Sequence, residues 1–92
     1  MLDEQSAIAA AARYLARQIP SGVGEIRVWP ERAFLDGHRL IVPYNTVDLI
    51  DHGIEDAELG GNGPICVDLR SGDCDFLSWE AIWEYKDRGF VV

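Results

Sequence analysis

Residues 60–76, GGNGPICVDLRSGDCDF, carry the clearest turn and strand signals in this chain of 92 residues. Within them the run ICVDL places Ile65, Val67 and Leu69 on one face, which is typical of a strand with one buried side. The turn sequence RSGD follows at once, and CDF then continues as a partner strand. The segment therefore predicts a β-hairpin in the second half of the chain.

The three glycines before this strand, Gly60, Gly61 and Gly63, raise the question of a phosphate-binding loop. Such a loop follows a strand and opens a helix, so that the phosphate lies at the helix N-terminus. Here the glycines follow an acidic stretch and precede a strand, and Pro64 removes a backbone donor. We therefore interpret them as a tight turn with positive φ angles, a region that Asn62 also tolerates.

The first element of the chain is predicted to be a helix over residues 3–19. Asp3 is a suitable N-cap, and PSG at 20–22 ends the helix. The expected apolar stripe consists of Ile8, Ala12, Leu15 and Ile19.

Residues 25–44 change to a period of two, which indicates strands. EIRVW, RAFLD and HRLIVPY are the strand sequences, and Asp36-Gly37 predicts the hairpin turn between the last two. Pro30 and Pro43 are expected at strand ends, edges or bulges, because proline cannot donate to a sheet.

Residues 45–59 have no clean period. Asn45 or Thr46 is suitable as the N-cap of a short helix, whose expected buried side consists of Val47, Ile50 and Ile54.

The chain closes with a second amphipathic pattern, WEAIWEYKDR, which predicts a helix. Ser78 is its expected N-cap and Gly89 its C′ residue. One stripe of this helix consists of Trp79, Ile82, Trp83 and Lys86, so both tryptophans are expected in the core.

This order of elements predicts an α+β fold in a single domain over residues 1–92. We expect a small antiparallel sheet of about four to five strands, with the N-terminal and C-terminal helices packed on one face of it.

Composition and charge narrow the possible partners. The chain is 48% hydrophobic with a net charge of −8, and residues 45–92 hold eleven acidic and three basic residues. Nucleic acid and an anionic membrane surface both require the opposite charge, so neither is an expected partner. The sequence has no apolar run of about 18 residues and no signal-peptide pattern, and its two cysteines are too few for a disulfide scaffold. We expect a cytoplasmic protein with reduced thiols.

The sequence offers little for catalysis. His38 and His52 do not form a zinc pattern with the cysteines, and no calcium loop is present. Cys66 and Cys74 flank a turn, have no histidine placed beside them in sequence, and are interpreted as structural thiols. The prediction is a protein that is not an enzyme and that has no cofactor and no metal.

The acidic stretch 45–62 is instead the predicted site of protein binding, because it has five acidic residues and no basic one. A basic partner would be attracted to it, and exposed aromatic residues at strand ends would anchor the contact. The candidate partner-binding residues are Asp48, Asp51, Glu55, Asp56, Glu58, Trp29 and Tyr44. The alternative interpretation is that this acidity only keeps the protein soluble.

Three motifs resemble one known family. The hairpin LGGNGPICVDLRSG (59–72), AAARYL (10–15) and WEAIWEY (79–85) are similar to the hairpin, first helix and closing helix of the immunity protein 35 family, also called the YrhB-like family. The resemblance covers nearly the whole chain. Ser71 departs from the usual threonine, and the loop has an extra glycine.

The resemblance implies a bacterial immunity protein of a polymorphic-toxin system, which binds and neutralises a cognate protein toxin. The alternative that it implies is a small heat-shock holdase chaperone. Its candidate apolar contacts are Phe90, Val91, Val92, Trp29 and Tyr44. An adaptor domain is a third interpretation. The toxin could be a nuclease, a peptidase or a transferase, and the protein a monomer or a homodimer.

Overall fold

A computed structural model of the chain describes residues 1–19, 25–58 and 63–90. In these ranges the helices are α1 (Glu4–Gln18), α2 (Val47–His52) and α3 (Trp79–Asp87). The strands are β1 (Ile26–Val28), β2 (Phe34–Asp36), β3 (Arg39–Val42), β4 (Tyr44–Thr46), β5 (Ile65–Asp68) and β6 (Cys74–Phe76), and short 3₁₀ turns lie at Pro30–Arg32 and Glu55–Ala57. The predicted α+β class is confirmed.

The strands form two antiparallel sheets rather than one. Four strands pair in the order β2-β3-β5-β6, and β1 pairs with β4 separately. Pro43 lies between β3 and β4, where its missing N–H interrupts the ladder and the chain leaves the larger sheet. The Pro43 carbonyl accepts a hydrogen bond from the Trp29 N–H at 2.8 Å, which joins the chain to the end of β1. The proline expected at an edge is therefore the crossing point between the two sheets.

The chain between β2 and β3 forms the predicted hairpin, but its turn is displaced by one residue from the predicted Asp36-Gly37. Asp36 pairs with Arg39, so the loop consists of Gly37 and His38. Gly37 has a φ of 61°, which a side chain rarely adopts and glycine adopts freely.

The first and last helices lie on opposite faces of the larger sheet, so the prediction that they share a face is wrong. α1 packs in one cluster with Leu40 and Val42, whereas α3 packs in another with Ile41. Successive strand residues point to opposite faces, and all three of these residues are fully buried. An uninterrupted apolar run of this kind requires cover on both sides of the sheet.

The buried side of α1 is displaced by one position from the predicted stripe. Ala7, Ala11 and Leu15 are buried, whereas Ala12 is exposed. Asp3 caps the helix as expected, because its carboxylate accepts a hydrogen bond from the Ser6 N–H at 2.7 Å. The predicted stop at 20–22 lies outside the described residues.

The predicted hairpin of β5 and β6 forms, but its turn lies at residues 69–71 and not at the predicted 70–73, so Leu69 is in the turn. The Asp68 carboxylate accepts a hydrogen bond from the Arg70 N–H at 2.8 Å, which holds the turn.

Of the glycine loop before this hairpin, residues 60–62 lie outside the described part of the chain. Gly63 has no positive φ, so the predicted reason for this glycine is wrong. A Cβ atom at Gly63 would lie 3.0 Å from the Leu77 carbonyl oxygen and 3.1 Å from a methyl group of Ile82. Close approach to the start of α3 is what requires glycine here.

Candidate protein-binding surfaces

The predicted acidic segment forms a short helix followed by a 3₁₀ turn, both at the surface. Thr46 is the N-cap of α2, and its hydroxyl accepts from the Leu49 N–H and donates to the Ala57 carbonyl at 2.9 Å. Gly53 ends the helix with a φ of 68°, and the Ile54 N–H returns to the Asp48 carbonyl. These bonds fold the 3₁₀ turn back towards the start of α2, so the segment has a defined shape.

All five carboxylates predicted to bind a partner are exposed. Val47 and Ile50 are half-buried beneath them, but Ile54 is 48% exposed, so its predicted burial is wrong. The segment has little apolar contact with the core, which leaves its outer surface free for another molecule.

One of the five carboxylates has an internal partner. Arg27 on β1 donates to both oxygens of Asp51, at 2.6 and 3.4 Å. The hydrogen bond from Arg27 lowers the pKa of Asp51, and the same bond raises the pKa of Arg27. Within the described ranges no ion pair involves the other four acidic residues of the segment, so their charges remain available to a partner.

The two predicted aromatic contacts have different positions. Tyr44 is only 6% exposed and lies in the core with α1, so almost none of its ring is available to a partner. Trp29 is half-buried, and the guanidinium of Arg32 lies 4.1 Å from the centre of its ring. Of these two residues only Trp29 remains a candidate contact.

The tryptophans predicted to be core residues are exposed. Trp79 and Trp83 are 59% and 61% exposed, whereas Ile82 and Tyr85 form the buried side of α3. The prediction of a buried Trp79 and Trp83 is wrong, and both are candidate contact residues that the sequence did not indicate. The spacing of three residues between Ile82 and Tyr85 is the signal that could have revealed the true buried side.

A polar network fixes the orientation of α3. The Tyr85 hydroxyl donates to the Asp36 carboxylate at 2.5 Å, and Arg39 and Arg88 donate to the same oxygen at 3.2 and 3.3 Å. Burial, and next the bond to Asp36, raise the pKa of Tyr85 to about 12. The network joins α3 to the β2–β3 hairpin and holds the tryptophans on the outer side.

The cysteines do not share a face. Cys66 pairs across the hairpin with Asp75, and Cys74 with Val67, so their side chains point to opposite sides of the sheet. Burial raises the pKa of both thiols, which disfavours the reactive thiolate.

The histidines also lie apart. Arg70 donates a hydrogen bond to Nδ1 of His38 at 2.8 Å, while His52 is exposed at the end of α2. In the part of the chain that the structure describes, no three metal-ligating side chains cluster.

A shallow groove of about 370 Å³ lies between α1 and the β5–β6 turn. Arg13 and Arg17 line it together with Asp73 and Cys74. Two of the chain's eight basic residues therefore lie in this groove, on the face of the larger sheet that α1 covers.

None of the helices within the described ranges has the length and apolar content to cross a lipid bilayer. Comparison with protein-family models, with curated proteins and with solved structures found no match for this chain. The resemblance to the immunity protein 35 family therefore stays a prediction from the three motifs.

Proposed function

We propose that this protein is a cytoplasmic immunity protein that binds a basic protein toxin and covers its active site. The observation that carries the proposal is the acidic segment 48–58. Its carboxylates are exposed, Asp51 alone among them has an ion-pair partner in the described ranges, and hydrogen bonds from Thr46 fix its backbone. Inhibition by coverage requires no catalytic residue, cofactor or metal.

The physical advantage of such a surface is the speed of association. A patch of like charge steers an oppositely charged partner towards it and raises the association rate by about 10- to 1000-fold at low salt. A toxin released beside its producer must be captured quickly, and the net charge of −8 adds to the attraction. A basic toxin, such as a nuclease with a phosphate-binding cleft, is the partner class that fits.

The first test identifies the partner, and a second test reverses the charge of the acidic segment. The protein is used as bait in a lysate of its native host, and retained proteins are identified by mass after low-salt and high-salt washes. One dominant basic partner, released at high salt, is the expected result. A lysate with no dominant partner contradicts the proposal.

The association rate with that partner is then measured for a triple reversal, Asp48→Lys with Glu55→Lys and Glu58→Lys, which spares the Arg27–Asp51 pair. We expect the rate to fall at least about 10-fold at low salt and to lose most of its salt dependence. The matched control reverses Glu4, Glu31 and Asp73, which are exposed acidic residues elsewhere. An equal fall in both variants would assign the effect to net charge and not to this segment.

A holdase chaperone is the second candidate, favoured by the exposure of Trp79 and Trp83. Phe90 is less suitable, because its ring stacks on Phe34 with centroids 4.5 Å apart. Residues 91 and 92 lie outside the described part. A holdase would suppress the aggregation of several unrelated clients at equimolar amounts, and no suppression would exclude it.

A further inference from the structure

The outer side of α3 combines aromatic and acidic residues in one face. Trp79, Trp83 and Asp87 follow one another at intervals of four residues, and Glu80 and Glu84 lie beside this line. All five are exposed, and they lie opposite the buried Ile82 and Tyr85. We call these five residues, Trp79, Glu80, Trp83, Glu84 and Asp87, the tryptophan–carboxylate face.

Tryptophan rings in this molecule already lie beside cations. The Lys86 ammonium lies 5.2 Å from the centre of the Trp83 ring, and the Arg32 guanidinium lies 4.1 Å from that of Trp29. Both distances are within the range of attractive cation–π contacts. Among the residues that the structure describes, no cation lies over Trp79, although its ring is as exposed as that of Trp83.

The three carboxylates decide which partner can cover this face. A purely apolar client would bury the tryptophans but would also remove water from Glu80 and Glu84 without giving them a partner, which is costly. A second copy of this chain would bring three more carboxylates and another net charge of −8 against the first. A basic segment satisfies the rings and the carboxylates together.

We propose that the tryptophan–carboxylate face binds an arginine-bearing segment of a protein partner, with a guanidinium stacked on Trp79. Arginine suits this face better than lysine, because its planar group stacks on an aromatic ring while its N–H groups reach carboxylates. The inference rests on the proposed function in that it assumes a basic protein partner. It adds a second contact surface to the acidic segment.

Hydrogen bonds hold the helix that carries this face before binding, so its backbone does not have to be ordered by the partner. Ser78 caps the helix by accepting from the Ala81 N–H at 3.2 Å, and the Tyr85–Asp36 bond holds its other half.

The length of the connecting chain limits the distance between the acidic segment and α3. Five Cα–Cα steps separate Glu58 from Gly63, so these residues lie at most about 19 Å apart. Gly63 in turn lies against the start of α3.

The test uses synthetic hexa-arginine as the probe and the three indole N–H signals of the protein in an NMR titration. The titration is made on the triple-reversal variant, whose acidic segment no longer attracts the peptide. We expect saturable shifts of the Trp79 and Trp83 signals while the Trp29 signal stays in place. Hexalysine should bind more weakly and hexaglutamate should not bind.

Two replacements of Trp79 separate stacking from apolar contact. Trp79→Phe keeps an aromatic ring and should bind hexa-arginine nearly as well as the parent, whereas Trp79→Leu should weaken binding about 3- to 30-fold. Glu80→Gln with Glu84→Gln should also weaken it. Leu35→Ala, which removes an equally exposed apolar side chain on β2, is the control and should change nothing.

The proposal is overturned if hexa-arginine leaves Trp79 and Trp83 unshifted, or if Trp79→Leu binds as well as Trp79→Phe. These outcomes do not depend on the toxin. If hexa-arginine shifts the Trp79 and Trp83 signals but the lysate contains no dominant basic partner, the proposed function is contradicted and the proposal for this face stands. If a toxin binds the Trp79→Leu variant as tightly as the parent protein, the proposed function stands and the proposal for this face is contradicted.

Discussion

Asp36 receives hydrogen bonds from three side chains, and the one from Tyr85 is the shortest. This bond lowers the pKa of Asp36, so its contribution to stability is present above the ordinary carboxyl pKa and is lost as the pH falls through the lowered value. The raised pKa of Tyr85 affects the stability of the protein at high pH. Its contribution is present below about pH 10 and is lost as the pH rises through about 12.

Replacing Tyr85 with phenylalanine tests this network. We expect the free energy of unfolding at pH 7 to fall by about 1 kcal/mol, because a part-buried hydrogen bond to a charged group is removed. Urea unfolding at pH 7 measures the change, and titration of tyrosine absorbance should lose its component near pH 12. Tyr14→Phe is the control, since its hydroxyl lies 3.5 Å from Asp75 in a weaker bond. A larger loss in the control would contradict the assigned role of Tyr85.

Individual residues were predictable where a local rule decides them. The N-caps Asp3, Thr46 and Ser78 are confirmed, because a cap bonds to a backbone N–H only three residues away. The role of Gly63 could not be predicted in the same way. Its glycine is required by the Leu77 carbonyl, which approaches only after the chain has folded.

At the scale of elements, the sequence predicted where α3 begins and ends but not which side of the helix faces the core. Its limits and caps agree with the sequence, but two stripes compete for the core. Trp79 and Trp83 make one stripe the more hydrophobic, yet the structure buries Ile82 and Tyr85. The bond from Tyr85 to Asp36 and the contact of Ile82 with Gly63 decide the rotation, and both partners are distant in sequence. The same limit applies to the faces of the sheet, since local pattern does not tell which helix covers which side.

Two alanine substitutions one position apart test this rotation. Ile82→Ala should lower the free energy of unfolding by about 2–4 kcal/mol, because it removes buried methyl groups and leaves a cavity. Trp83→Ala should change it by no more than about 0.5 kcal/mol, because the ring is exposed. Thermal or urea unfolding of the two variants gives the comparison. The reverse order would show that the tryptophan side of α3 faces the core.

At the scale of the whole molecule, the charge composition predicted that the acidic segment lies at the surface. The sequence did not predict how the strands divide between two sheets. The acidic residues of segment 48–58 are exposed as expected, since charged groups avoid burial unless they are paired. The division into two sheets at Pro43 was not predicted, because a proline indicates an interruption of pairing but not where the chain goes next.

The net charge should make stability depend on salt. Repulsion among sixteen acidic residues opposes the compact state, and salt screens it. We expect the melting temperature to rise by about 4–8 °C between low salt and about 0.3 M NaCl, which corresponds to about 1 kcal/mol.

The triple-reversal variant provides the control for this effect. Its three substitutions each change the charge by +2, so its net charge is −2 instead of −8 and its response to salt should shrink. A melting temperature that falls with salt in the parent protein would mean that attractive pairs such as Arg27–Asp51 outweigh the repulsion.

The position of α1 has a consequence for biosynthesis. This helix leaves the ribosome before the sheet it packs on, because part of its packing surface is on β5 and β6, which follow it in the chain. A helix of this length is only marginally stable in water by itself. Its packing surface therefore stays largely exposed to water until the later strands have been synthesised. Two of its three buried residues, Ala7 and Ala11, are alanines, and they expose little apolar area during that delay. The same small side chains that let α1 lie close to the sheet also make the nascent chain less prone to aggregate.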